Sequence, residues 1–150
     1  MEVIYRIATH ADVKELVVLR MEQLLAEGSA LDIDISKDLS GYYTSAIADG
    51  SFIAWVAEVN GKIVSTCGIA FSKKPPYYQN TSGLIGEVCN VFTEEGHRRK
   101  GFASHLLKII VDEAKARRIG ILRVSASKAG EYLYKDFGFI KAENFYTFKL

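Results

Sequence analysis

Cysteine and proline are scarce in this chain, with two of each in 150 residues. A secreted domain of this size held together by disulfides would carry more cysteine. Cys67 and Cys89, each inside an apolar run, are therefore expected to be free buried thiols in a reducing, cytoplasmic compartment. There is no Cys-x-x-Cys and no pair of histidines at helical spacing, which removes the usual metal patterns and leads us to expect no metal. His10, His97 and His105 are expected to be structural or exposed. No apolar run reaches the length of a membrane span, and the opening Met1-Glu2-Val3-Ile4-Tyr5-Arg6 has no signal-peptide character. An excess of either charge is also missing. Nineteen Lys and Arg against eighteen Asp and Glu leave a net charge of +1, which argues against wrapping nucleic acid.

What is present suits one globular domain spanning 1–150, with 49% hydrophobic and 25% charged residues and enough chain for a single core. Val3 to Ala8 reads as a strand. Thr9-x-x-Asp12 is a capping box with Asp in place of Glu. It precedes a helix from Asp12 to Glu27 that carries Val13, Leu16, Val17, Leu19, Leu24 and Leu25 at helical spacing and is closed by Gly28. Ser36 to Asp49 is a weaker helix stopped by Gly50. Ser51–Val59 and Lys62–Phe71 form a hairpin about Asn60-Gly61, the strongest two-residue turn signal. The consecutive Pro75-Pro76 make the next stretch a loop. Strand Gly83–Phe92, helix Ser104–Arg118, strand Ile121–Ser125 and a short helix Lys128–Phe137 ended by Gly138 follow. Phe139–Ala142 and Phe145–Leu150 are expected to close as an antiparallel pair. This order predicts an α/β (α+β sandwich) class, a mixed and mostly antiparallel sheet of about 6–7 strands flanked by about four helices.

Arg98-Arg99-Lys100-Gly101-Phe102-Ala103 is the most informative stretch. It links the strand Glu87-Val88-Cys89-Asn90-Val91-Phe92 to an apolar helix. The first N–H groups of a helix lack partners within it, and the helix dipole makes that end positive. A basic, Gly-bearing loop there suits a phosphate or pyrophosphate. Seven basic residues between Arg98 and Arg118 otherwise read as a solvated face.

These residues carry a resemblance. Arg98-x-x-Gly101-x-Ala103 after a strand is similar to the Arg/Gln-x-x-Gly-x-Gly/Ala motif of the GNAT superfamily of acetyl-coenzyme A-dependent N-acetyltransferases. Leu133-Tyr134-Lys135-Asp136-Phe137-Gly138-Phe139 resembles that family's second signature, Leu-Tyr-x-x-x-Gly-Phe. Tyr5-Arg6-Ile7-Ala8-Thr9-His10-Ala11-Asp12 matches its amino-terminal opening. The order of elements agrees over essentially the whole chain, which implies a GNAT-like fold. Ser127 stands where many members carry Asn; it can donate a hydrogen bond but reaches less far.

The resemblance implies acetyl-coenzyme A as co-substrate and an amine of a small molecule or peptide as acceptor, with no nucleic acid or membrane partner. A homodimer is common in the family. Arg98, Arg99, Lys100, Gly101, Phe102, Ala103 and Ser104 would hold the pyrophosphate, Val91, Phe92 and Thr93 would pair with the pantetheine arm, and Ser127 would add a contact. Tyr134 is the implied general acid, a phenol protonated at neutral pH and able to donate to a thiolate. Glu87 matches the glutamate that serves as base in the histone-acetyltransferase branch. Set amid Leu84, Ile85, Val88 and Val91 it would be desolvated, which suits a base, although a base is dispensable where the amine loses its proton to water. Tyr42, Tyr43, Tyr77 and Tyr78 are either an aromatic acceptor wall or ordinary surface and core. The other reading of the chain is a non-catalytic acyl-coenzyme A sensor. Retention of both Tyr134 and Glu87 favours the enzyme.

Overall fold

The computed structural model describes residues 1–30, 32–142 and 144–150. Strand β1 (Val3–Ile7) leads through a 3-10 turn (His10–Asp12) to helices α1 (Val13–Ala26) and α2 (Ser36–Asp49). Strands β2 (Phe52–Val59), β3 (Lys62–Lys73) and β4 (Leu84–Thr93) follow. A second 3-10 turn (Glu95–His97), helix α3 (Phe102–Ala116), strand β5 (Ile121–Val124) and helix α4 (Glu131–Phe137) complete the order.

The sheet runs β1-β2-β3-β4-β5. The first three pairings are antiparallel and β4–β5 is parallel. Parallel neighbours need a crossover of a dozen or more residues, which α3 supplies. Asn60 and Gly61 both take positive φ, 50° and 77°, as the tight hairpin turn requires, and β2 and β3 pair directly across them.

Period-2 alternation on β2 divides the core between the two faces of the sheet. Phe52, Ala54 and Val56 join Val13, Leu16, Val17, Tyr43 and Ala46 under α1 and α2. Ile53 and Ala57 join Phe102, Leu106, Leu107, Ile110 and Ala114 of α3 on the other face. Both faces are covered, so β2 and β3 are nearly continuously apolar and buried. Thr9 behaves as the capping box predicts: its N–H donates to Asp12 Oδ2 at 2.7 Å. Arg6 of β1 grips the same carboxylate with both terminal nitrogens at 2.9 Å and donates from Nε to Glu58 of β2 at 2.8 Å.

Two expectations change. Helix α3 begins at Phe102, two residues earlier than expected. Among the described residues the sheet has five strands, not 6–7, because Phe139–Ala142 and Phe145–Leu150 form no strand. Phe139 is taken up in closing α4, its N–H donating to Tyr134 O at 2.9 Å and its ring lying 5.7 Å from that of Tyr134. Tyr146, Phe148 and Leu150 are fully or almost fully exposed. Their aromatic and branched character favours an extended chain, but strand formation also needs a paired edge and an apolar face, and neither meets them here. No helix among the described residues is long and apolar enough to cross a membrane.

Candidate active site

Strands β4 and β5 pair only from Ile85–Val88 to Ile121–Val124. Beyond that point β5 ends and β4 runs on to Thr93, so the two diverge and leave a cleft of about 610 Å³. Its walls are the free end of β4, the loop into α3, the segment from Val124 to Tyr134, and one side of α1.

The free end of β4 carries a β-bulge. Gly68 pairs with Cys89 and Thr66 with Phe92, so β4 spends one residue more than β3 over this stretch. Asn90 takes φ 55° there, and a bulge turns backbone groups out of the ladder. Four successive carbonyls of this segment each accept from a side chain. Thr66 Oγ1 donates to Asn90 O at 2.7 Å, Gln23 Nε2 to Val91 O at 3.2 Å, Ser65 Oγ to Phe92 O at 3.0 Å, and Arg98 Nε to Thr93 O at 3.0 Å. The Asn90 amide donates to the hydroxyl of Tyr43, whose phenol burial pushes up to about 12. The strand end is thus held from β3, α1, α2 and its own following loop, the kind of support that keeps backbone donors in one geometry.

In the loop, Arg99 and Gly101 both take left-handed backbone, φ 61° and 82°, a reversal of hand that curls N–H groups into a concavity. A Cβ at Gly101 would meet nothing within 4 Å, so an anion has room to approach. The start of α3 receives no side-chain cap and has no acidic residue in its first turn, which leaves its orphan N–H groups for a ligand. The residues present therefore fit a pyrophosphate. Arg99, Gly101, Phe102, Ala103 and Ser104 line the cleft. Arg98 also lines it, but its guanidinium is drawn back to Thr93 O and the Phe92 ring, 5.8 Å from the centroid. Lys100 is exposed and does not line the cleft.

On the opposite wall Tyr134 is 7% exposed. Burial, with Cys67, Glu27 and Cys89 adding to it, pushes its phenol well above the ordinary value. Ser127 lines the cleft with its Oγ accepting from Gly130 N–H at 3.2 Å, where it caps the turn leading into α4. Val91, Phe92 and Thr93 line the cleft as well.

Glu87 lines the cleft but is exposed. The apolar surround expected for it is absent, because strand alternation turns Leu84 and Val88 to the opposite face, where Val88 joins the core under α3. Arg123 stands beside it across the β4–β5 ladder, with its guanidinium over the Phe145 ring at 5.0 Å. The four tyrosines separate: Tyr43 is core at 1% exposure, Tyr42 packs on Tyr43 and Phe52, and Tyr77 and Tyr78 lie on the proline loop outside the cleft lining.

The fold adds Arg20, Gln23, Glu27, Cys89, Asn90 and His97 to the cleft. Gln23 had a signal, a polar residue on the buried stripe of α1 with Leu16 and Leu19. Burial pushes the Cys89 thiol up to about 11. The Nδ1 of His97 is buried without a hydrogen-bond partner, with Glu94 Oε2 at 3.7 Å. Among the described residues no three His, Cys, Asp or Glu side chains are grouped to hold a metal.

A sequence description of the acetyltransferase (GNAT) domain matches residues 50–141. The crystal structure of a predicted acetyltransferase with acetyl-CoA from Clostridium acetobutylicum has a TM-score of 0.95 to this chain. Its identity is 36%, covering 99% of this chain and 96% of that one. A GCN5-related N-acetyltransferase from Ralstonia eutropha shares the fold at TM-score 0.88 and 20% identity, over 97% of each chain. A ribosomal-protein-alanine N-acetyltransferase from Brucella melitensis shares it at 0.74 and 21%, over 99% of each chain. No curated protein matches the chain. The domain match over most of the sequence, together with a 36% identical relative along nearly its whole length, means that the chain belongs to the GNAT superfamily and is an acetyltransferase of that type.

Proposed function

We propose that the protein moves an acetyl group from acetyl-coenzyme A to a primary amine of a small molecule or peptide, by direct attack with both reactants bound, within one domain spanning 1–150. The observation that carries this reading is the convergence on one cleft of the bulged β4 end, the uncapped start of α3 and the buried Tyr134. When bound, acetyl-coenzyme A supplies an activated acetyl thioester.

The N–H groups around Arg99 to Ser104 bind the pyrophosphate, with Arg99 adding charge. The backbone of Val91, Phe92 and Thr93 aligns the pantetheine arm and offers donors to the thioester oxygen. Donors of this kind are worth about 2.7–4 kcal/mol each. Glu87, or water beside it, takes the proton that the acceptor nitrogen must lose to attack. Tyr134 gives its phenolic proton to the departing sulfur. One amide bond forms, one thioester bond breaks, and the thiol leaves protonated. The two free thiols, Cys67 and Cys89, support a reducing, cytoplasmic setting.

The test is thiol release from acetyl-coenzyme A across a panel of amines, with coenzyme A binding followed by calorimetry. Amine-dependent release with saturable coenzyme A binding is the expected result. A protein that neither binds coenzyme A nor releases thiol with any amine would contradict the reading.

A further inference from the structure

We propose that the acceptor is an amine that also carries a carboxylate, and that Arg20 binds this carboxylate. The inference rests on the acetyl-transfer reading above and names the substrate class of the same site.

Arg20 projects from α1 one turn before Gln23 and lines the cleft in a half-buried position. Its Nη1 donates to Gln23 Oε1 at 3.0 Å. Among the described residues no carboxylate lies within ion-pair distance of it, whereas Arg6 holds Asp12 and Glu58, and Arg117 holds Glu113. A guanidinium has five donors in a planar fork that matches a carboxylate. Here one of them is spent on a neutral amide. The position is set rather than floppy: Gln23 is buried, and its Nε2 donates to both Val91 O and Glu27 Oε1. Arg20 is thereby tied to the bulged strand end where the acetyl group is presented.

The opposite charge lies on the same side. Cys89 packs with the core under α1 and α2, and Glu87, two residues earlier on β4, shares its face. Arg20 and Glu87 both line the cleft with Cys89, and both charges act on its thiol, Arg20 lowering it and Glu87 raising it. Arg20 also acts on Tyr43. A cleft lined by both Arg20 and Glu87 matches a molecule that carries both an ammonium and a carboxylate. A phosphate fits less well, because its second negative charge would lie in a cleft that Glu27 and Glu87 also line.

The test uses the full chain with acetyl-coenzyme A and measures thiol release on matched pairs of α-amino acids and their carboxamides, with 2-aminoethyl phosphate as a third arm. The acid is expected to exceed its carboxamide in kcat/KM by ~10- to 100-fold, chiefly through KM, the range for charge-assisted hydrogen bonds. Arg20→Met is expected to erase that preference, and Arg20→Lys, which keeps charge without the fork, to retain part of it. Equal use of acid and carboxamide by the unaltered protein, a preference that survives Arg20→Met, or better use of the phosphate arm would each overturn the assignment. If no carboxylate-bearing amine reacts while coenzyme A still binds, the acceptor class is wrong and the acetyl-transfer reading stands. Loss of coenzyme A binding as well would overturn both.

Discussion

At Tyr134 burial and chemistry pull the same way. Burial raises the phenol, and the nearby Cys67, Glu27 and Cys89 add to the shift, so the group stays protonated throughout the neutral range. The proton is then in place to be donated as negative charge builds on the departing sulfur. Tyr134→Phe is expected to lower kcat by about 10²-fold or more while leaving coenzyme A binding by calorimetry nearly as it was. Turnover at the unaltered rate would refute the general-acid role. Glu87 is a different case, because its exposure leaves water as a competitor for the proton. A carboxylate can accept the proton and a carboxamide cannot. Glu87→Gln is therefore expected to lower kcat/KM and to change its pH–rate profile. An identical profile would mean that the proton leaves to water. The signature around Tyr134 is legible in the linear chain. The exposure of Glu87 is not, since Leu84 and Val88 point to the opposite face of the strand and the elements packed on its own face leave it uncovered.

The bulged end of β4 is the element on which the site depends. Its carbonyls from Asn90 to Thr93 each accept from a side chain, and the donors come from positions as far apart as Gln23 and Arg98. Gln23→Leu would leave Val91 O without its side-chain partner, at a cost of about 1–3 kcal/mol. We expect the loss in urea unfolding together with a fall in kcat, as the strand end loosens. Gln23→Glu keeps the size but, ionised, cannot donate, and is expected to resemble Gln23→Leu. A stability loss with kcat intact would restrict Gln23 to a structural role. The strand, the loop and α3 are readable from residue types, because β-branched runs, glycine and helical periodicity are local signals. The bulge is not, because it arises from pairing with β3.

For the molecule as a whole, Arg6 joins β1, β2 and the turn before α1. The fork of Arg6 is the main reason the Asp12 carboxyl is held below its ordinary value of 3.8, with the Thr9 N–H adding to it. A carboxyl depressed by folding stabilises the fold above its unfolded-state value, and that contribution fades as pH falls through the folded-state value. Asp12→Asn is therefore expected to lower stability at pH 7 by about 1–2 kcal/mol, allowing for the partial exposure of Arg6. The gap to the unaltered protein should close below about pH 4. Urea unfolding at a series of pH values checks this, and a gap independent of pH would remove the ion pair as its cause.

The amino-acid sequence by itself determined the tight hairpin and the glycine-bearing basic loop before α3, which we propose holds an anion. Each of these follows from residues close together in the chain: Asn60-Gly61, and a glycine at a helix start. Tertiary structure alone decided three other matters. It ended the sheet at β5 instead of adding the carboxy-terminal segment, because a strand requires a partner edge that propensity cannot provide. It brought Gln23 onto Val91, 68 positions away. It also left Arg20 lining the cleft with no carboxylate among the described residues within ion-pair distance, because the environment of a charge is set by which elements pack around it, and that is a property of the whole fold.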